Sequence, residues 1–515
     1  MPRRRGTPVA AALVALGLLA GCSSPGPVGI WTAHSPAVPS SSAQPSPETV
    51  QWRDCKQDME ALAGSSLSGT RADCATLRVP RDWAEPSGPT FDIALVRMRR
   101  TNQQNRIGSL LVNPGGPGAS GIRLAAVTPL FLPTGVLRQF DIVGFDPRGV
   151  GRSSPVECIP DATLDATTAA EPDPVDAREF NRQATIWRGI GAACGAKYGA
   201  TTLGLFSTEQ TARDMDAIRQ AVGDQKLTYL GYSYGTELGA AYARFFPTRI
   251  RALVLDGAVD PLLDSVTESE NQAAGFEKAF DNFTADCRAK RCAMGPDARA
   301  TLNRVLAKVR ARPVPGKGGE KRVATAGYVL SAVVASLYSR ESWSRLATAI
   351  AAVDAGDPTK VFRISDEWND RGPDGRYTSN QADAILTINC ADDAEPPTLA
   401  DVRRLQGQWR TRYPLFGAPL ALSMMGCSVW PGTHDPWTPG PAVGAPPIVV
   451  VGTVGDPATP YANTAKLANL LGTGVVVTYR GEGHTAYPQT ACLREAVDEY
   501  LLRLAPPAEG TSCPA

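Results

Sequence analysis

Alternation constrains this chain most. Between residues 91 and 261, short apolar runs rich in β-branched residues take turns with segments of helical period. Phe91 to Met98 alternates like an exposed strand, and Ser109 to Val112 and Phe140 to Phe145 are short apolar strands. Thr208 to Val222 places Ala212, Met215, Ile218 and Val222 on one helical face. Leu227 to Leu230 predicts a strand, Thr236 to Phe246 a helix, and Leu253 to Leu255 the next strand. Strand, helix, strand in repetition argues an α/β fold: a mostly parallel sheet with helices on both faces. No repeat of fixed period is present, which argues against solenoids and propellers.

The alternation stops at about Leu262. From there to Thr433 the period is helical and no convincing strand appears; Gly275 to Cys287, Ala298 to Arg310, Tyr328 to Tyr338 and Trp343 to Val353 all read as helices. The sheet resumes with Pro447 to Gly452 and Val475 to Tyr479, and Leu493 to Leu504 closes the chain as an amphipathic helix. The expected organisation is therefore a core over 51–261 and 434–515, interrupted by a helical lid over 262–433. A lid of this kind belongs over the carboxyl ends of the strands, where open α/β sheets bind their ligands.

Gly231-Tyr232-Ser233-Tyr234-Gly235 falls between a predicted strand and a predicted helix. In a nucleophile elbow the turn is tight, only small residues fit two places to either side, and the Ser hydroxyl stands at the top of the sheet. That context turns a weak pattern into an assignment: Ser233 is the nucleophile of an α/β-hydrolase fold. The chain has three His. His34 precedes the core and His434 lies in a Pro/Gly-rich stretch, whereas His484 follows the last strand, where the general base of this fold belongs. Two Asp at strand ends could orient it, Asp456 after Pro447–Gly452 and Asp256 after Leu253–Leu255; both keep the order Ser, Asp, His. Asp456 is assigned, because its Gly-rich loop frees the carboxylate, and Asp256 is left a structural role. For the oxyanion, one donor is the N–H of Tyr234. The other is placed at Gly116 in Asn113-Pro114-Gly115-Gly116-Pro117-Gly118, with Gly115 the neighbour that could take its place.

The N-terminus sets the compartment. Arg3 to Arg5 precede an apolar run from Val9 to Ala20, too short to span a bilayer, which ends in Leu19-Ala20-Gly21-Cys22. This resembles a bacterial lipobox: 1–21 is a signal peptide, Cys22 carries lipid, and the Ser/Pro-rich 22–50 is a tether holding the enzyme off the membrane. Of 11 Cys, an even number then remains. Neighbours in sequence pair naturally as Cys55–Cys74, Cys158–Cys194, Cys287–Cys292, Cys390–Cys427 and Cys492–Cys513, though spacing alone does not fix connectivity. A formal charge of +1 gives no electrostatic footprint for nucleic acid. Three scattered His supply no metal-ligand spacing, and no cofactor is called for. A Ser at the elbow also argues against epoxide hydrolase and dehalogenase chemistry, which need Asp there.

Asn113 to Gly118, Gly144-Phe145-Asp146-Pro147-Arg148-Gly149, the elbow, Asp256 to Pro261 and Gly455-Asp456-Pro457-Ala458-Thr459-Pro460 together resemble the secreted tripeptidyl aminopeptidases, among the prolyl-aminopeptidase-like serine peptidases. The likeness runs from about Trp52 to the C-terminus and is sharper in the core than in the lid. Prolyl iminopeptidases carry His-Gly-Gly-Pro-Gly, whereas this chain has Asn113-Pro114 before Gly115, as the tripeptidyl branch does. The resemblance implies an exopeptidase that removes short peptides from free N-termini and binds the substrate amine through carboxylates. Asp392, Glu268, Glu270 and Asp393 are its candidates. A carboxylesterase or lipase would use the same triad. A solute-binding lipoprotein would share the lipobox and tether but leave the elbow unexplained.

Overall fold

The computed structural model describes residues 50–515, so the signal segment, Cys22 and most of the tether lie outside the described residues. In chain order the strands are β1 (Arg53–Asp54), β2 (Thr70–Pro80), β3 (Thr90–Arg100), β4 (Gly108–Asn113), β5 (Phe140–Phe145), β6 (Leu227–Tyr232), β7 (Ile250–Asp256), β8 (Val314–Pro315), β9 (Val323–Ala324), β10 (Ile448–Gly455), β11 (Gly474–Glu482) and β12 (Ser512–Cys513). Ten of them form one sheet in the order β1-β2-β3-β5-β4-β6-β7-β10-β11-β12. The pairings β1–β2, β2–β3 and β3–β5 are antiparallel. From β5 to β12 every pairing is parallel.

The burial follows from the sequence pattern. β4, β5 and β6 are buried at every residue, as expected of parallel strands covered on both faces. β2 and β3 mix buried and exposed positions. On one face Met215, Leu238 and Tyr242 pack on Leu111, Val143 and Leu253. On the other, Ile122, Val497 and Leu501 pack on Leu110, Val112 and Val254. Each such fully buried aliphatic chain contributes about 1.5–3 kcal/mol. The chain leaves β4 for β5 on one side and enters β6 on the other, so the crevice where the strand order reverses opens at the carboxyl ends of β4 and β6.

The helices after β7 build a core of their own around Phe280, Phe283, Leu302, Val333, Ile350 and Phe362. One feature departs from expectation there: β8 and β9 form a two-residue antiparallel ladder. A second helical excursion, between β5 and β6, joins this cap. It contains Asp161–Ala169, Ala177–Tyr198 and Ala200–Gly204. Thr325 Oγ1 donates to the Ala169 carbonyl at 2.8 Å, and Arg310 pairs with Glu171 at 2.7 Å. The Ala/Thr-rich Asp161–Ala169 buries only Leu164, which leaves little period to read. Asn380 pins the cap to the core by bonding the Gly149 and Val156 carbonyls and the Gly151 N–H. Five disulfides join the expected neighbours: Cys55–Cys74, Cys158–Cys194, Cys287–Cys292, Cys390–Cys427 and Cys492–Cys513. They suit an oxidising, extracytoplasmic compartment. Among the described residues no helix is long and apolar enough to cross a membrane.

Candidate active site

Five strand ends converge on one place. β6 ends at Tyr232, and Ser233 follows with φ 56° and ψ −126° as the N-cap of the helix Tyr234–Phe245. A positive φ at a non-glycine residue is sparsely populated, and here the surroundings impose it. The Ser233 N–H donates to the Asp256 carbonyl at 2.8 Å, and the Thr236 N–H to the Ser233 carbonyl at 2.7 Å. The flanking glycines are required by contact. A Cβ on Gly231 would lie 2.3 Å from the Gly235 carbonyl oxygen, and one on Gly235 would lie 2.9 Å from Asn113 Oδ1.

β10 delivers Asp456 and β11 delivers His484. His484 Nδ1 lies 2.9 Å from both carboxylate oxygens of Asp456. Asp456 is buried and also accepts from the N–H groups of Ala458 and Thr459, each at 2.9 Å, and from Thr459 Oγ1 at 3.0 Å. A carboxylate held by four further donors, the Thr485 N–H at 3.4 Å among them, fixes the ring in one orientation, with Nδ1 protonated and Nε2 left to accept. Burial disfavours the charged imidazole, but the Asp456 carboxylate outweighs it, aided by Asp256, so the His484 pKa stands above its ordinary 6.5. The His484 N–H donates to the Tyr338 carbonyl at 2.8 Å, and the Tyr338 ring meets the imidazole edge-on at 5.1 Å.

The other Asp is differently employed. Asp256 is fully buried, and its carboxylate accepts the N–H groups of Ala486, at 3.0 and 3.1 Å, and Tyr487, at 2.7 Å. It clamps the loop that carries His484 rather than the ring. Burial pushes its pKa up to about 7 despite those donors.

The loop after β4 lies directly on the elbow. A Cβ on Gly115 would stand 2.4 Å from the Tyr232 carbonyl oxygen and 2.8 Å from Ser233 Cβ, so only glycine fits. Gly115 and Gly116 both adopt positive φ, 89° and 114°. The Gly115 N–H is taken by Asn113 Oδ1 at 2.8 Å. The Tyr234 N–H is the first of its helix and has no partner within it. The helix after the loop starts at Ser120, whose hydroxyl is held by Asp146 at 2.5 Å; Asp146 also accepts from the N–H groups of Ile122 and Arg152. Arg148 of the same segment is buried and bidentate on Asp214, at 2.7 and 2.8 Å. Asp146 of the Gly144–Gly149 motif thus braces the start of the helix that follows the 113–118 loop, while Arg148 ties the motif to Asp214.

The candidate amine ligands separate. Glu270 is bound to Arg412 and to the Tyr413 hydroxyl, so its charge is already answered. Asp392 accepts from the Thr208 N–H at 2.8 Å and from Thr208 Oγ1 at 2.6 Å, and that hydroxyl also contacts the Tyr234 hydroxyl. Glu268 is half-buried at the start of the helix Ser265–Lys290. Burial, then Glu237 and Asp393, with Asp260 further, push it up to about 7. Glu237, on the first turn after the elbow, accepts from Trp437 Nε1 at 3.0 Å and is itself raised, chiefly by burial. Burial and Glu237 raise Asp392 as well. Among the described residues, no Lys, Arg or His forms an ion pair with Glu237, Glu268, Asp392 or Asp393. Glu237 escaped the sequence reading, yet it lies one helical turn past Ser233, a spacing that could have found it. His434 is remote in role: its Nδ1 bonds the Cys390 carbonyl at 2.9 Å.

Residues 108–490 match a family described as alpha/beta hydrolase fold. Carboxylesterase B of Mycobacterium tuberculosis is 37% identical, over 98% of this chain and 97% of its own. Serine protease Hip1 of the same species is 35% identical, over 90% and 91%. The tripeptidyl aminopeptidase of Streptomyces lividans is 28% identical, over 94% and 90%.

Proposed function

The chain belongs to the α/β-hydrolase family, and on that footing we propose that it is a serine exopeptidase releasing short peptides, tripeptides foremost, from free N-termini. In this reading Ser233 Oγ attacks the scissile carbonyl carbon while His484 Nε2 takes its proton. The N–H groups of Gly116 and Tyr234 receive the developing oxyanion, each worth about 3 kcal/mol in the transition state. Collapse breaks the C–N bond, and the imidazolium gives its proton to the leaving amine. Water, activated by the same imidazole, then releases the peptide from the acyl-enzyme. Asp456 holds the imidazole tautomer and stabilises its charged form.

The observation that carries the exopeptidase reading is the set of carboxylates beside the elbow. Glu237, Glu268, Asp392 and Asp393 crowd together without a cation, and the pKa values of Glu237, Glu268 and Asp392 are raised. A substrate ammonium relieves that repulsion, and in a partly desolvated site the pairing counts for more than in water. Glu268 and Asp392 serve as ligands here, joined by Glu237; Glu270, neutralised by Arg412, does not. The test compares free and N-acetylated peptides of one sequence. Loss of the amine charge should lower kcat/KM at least about thirty-fold, or about 2 kcal/mol; equal rates would reject this reading.

A carboxylesterase is the second reading. The 37% relative bearing that name favours it, and preferred turnover of acyl esters with no dependence on a free amine would establish it. The lipobox and tether propose lipid attachment at Cys22 and a place on the outer face of the cell membrane.

A further inference from the structure

The cap encloses a space that the triad does not use. A cavity of about 280 Å³ lies where the two helical excursions meet, walled by Trp187, Leu330, Val334, Leu422 and Trp368. Its wall is mostly apolar, and Trp368 is 41% exposed, unusual for so large a ring inside a cap. Ligand sites of this family of shapes are apolar hollows with few polar groups, commonly found between packed units.

Its direction carries the argument. On the helix Ala326–Leu337 the lining residues are Gly327, Leu330, Ser331 and Val334. They form one stripe at steps of three and four residues, and the next position of that stripe is Tyr338. Tyr338 is the residue whose carbonyl accepts the His484 N–H and whose ring abuts the imidazole. Trp368, in the cavity wall, packs against the same Tyr338 ring, tilted by 51° at 4.7 Å. Two ring-to-ring steps of 5.1 and 4.7 Å therefore lead from His484 to a ring of the cavity wall. At about 3.3 Å per extended residue, that is within reach of a side chain at most three residues from the bond being cleaved.

We infer that this cavity is a specificity subsite that takes one bulky apolar side chain of the substrate, reached from His484 along Tyr338 and Trp368. The inference rests on the proposal that Ser233 and His484 do the chemistry. It makes Trp368 and Ser423 specificity-determining: one is wall, the other an exposed rim residue on the helix Gly417–Ser423.

The experiment uses the full chain and two probe sets. Free-N-terminal peptides carry Ala or Phe at each of the three positions on either side of the scissile bond, and fluorophosphonates carry short or long alkyl chains. At one position Phe should raise kcat/KM at least about tenfold over Ala, and the longer alkyl probe should label Ser233 faster by a similar factor. Ser423→Trp, filling the cavity from its rim, should erase both preferences while leaving the Ala peptide and the short probe unchanged. Trp368→Ala should weaken both. Cleavage or labelling with no apolar preference, or a preference indifferent to Ser423→Trp, would overturn the inference. Failure of the peptidase reading looks different: no peptide is cut, while the alkyl-chain preference still reports on the cavity.

Discussion

Asp456→Asn and Asp256→Asn make a matched pair, because both remove a charge from a buried carboxylate near His484. At Asp456, Oδ1 accepts from the Ala458 and Thr459 N–H groups and Oδ2 from Thr459 Oγ1, with Nδ1 of His484 2.9 Å from each oxygen. An Asn keeps the two 2.9 Å backbone donors, at the expense of the longer Thr485 N–H bond at 3.4 Å, only by putting its carbonyl at Oδ1, so its NH2 faces the imidazole. His484 Nδ1 must then accept, the proton moves to Nε2, and the nitrogen that should take the Ser233 proton is blocked. The expected loss in kcat is on the order of ten-thousand-fold. At Asp256 an Asn oxygen at Oδ2 still accepts from Ala486 at 3.0 Å and Tyr487 at 2.7 Å. With an ordinary pKa displaced to about 7, this carboxyl is already part neutral at neutral pH. The expected cost is about 1–3 kcal/mol of stability and less than about tenfold in kcat of the folded fraction. Burst titration of active sites with a chromogenic ester, alongside denaturant melts, separates the two effects. If Asp256→Asn harms turnover of folded enzyme more than Asp456→Asn, the assignment of the orienting acid is wrong.

Ser233→Ala and His484→Ala should each lower kcat by about a million-fold with unchanged melting, since a triad acts as a unit; more than a few per cent residual activity in pure protein would refute the assignment. The His484 pKa stands above 6.5, so the neutral base, and with it kcat/KM, should be lost as pH falls through a value higher than that. The same pair stabilises the fold fully below 6.5 and loses that contribution as pH rises through the folded-state pKa. Glu268 at about 7 adds a second dependence for free peptides, so Glu268→Gln should flatten their acid limb while leaving that of an ester unchanged. Cys22→Ser should release the protein from membranes with its activity in solution intact, read by fractionation.

Seven of the sheet's ten strands were legible, β4, β5 and β6 because buried parallel strands are continuous apolar runs, whereas the two-residue β1 and β12 and the mixed-pattern β2 were not read. The elbow, Asp456 and His484 were legible because tight turns at strand ends demand glycine and fix the spacing. The five disulfides followed from neighbour pairing. What escaped depends on contacts between distant segments. Glu270 is set apart from Glu268 by meeting Arg412 and Tyr413, which lie far along the chain. Asp161–Ala169 buries only Leu164 and so leaves no period to read, whereas Ala177–Tyr198 carries one in Phe180, Ala184, Ile190 and Cys194 that could have found it. The two-residue ladder of β8 and β9 is too short to leave any pattern.

In the proposed reading, chemistry and selectivity come from different parts of the chain, and the division has a physical reason. Nucleophile, base and acid must be held within a fraction of an ångström, and parallel strands buried on both faces supply that rigidity. Recognition of an amine or an apolar side chain requires exclusion of water, which the open end of a sheet does not provide. The cap provides it, and it reaches the triad at few points: Tyr338 on His484, Glu268 near Glu237, Asp392 on Thr208, and a backbone approach in which a Cβ on Gly118 would lie 2.9 Å from the Ile385 nitrogen. Substitutions in the cap away from those points should alter which substrates are cut without altering the reactivity of Ser233. Substitution of Asp146 should do the reverse, because it holds the Ser120 hydroxyl and the Ile122 N–H where the 113–118 loop runs into its helix, whatever the substrate.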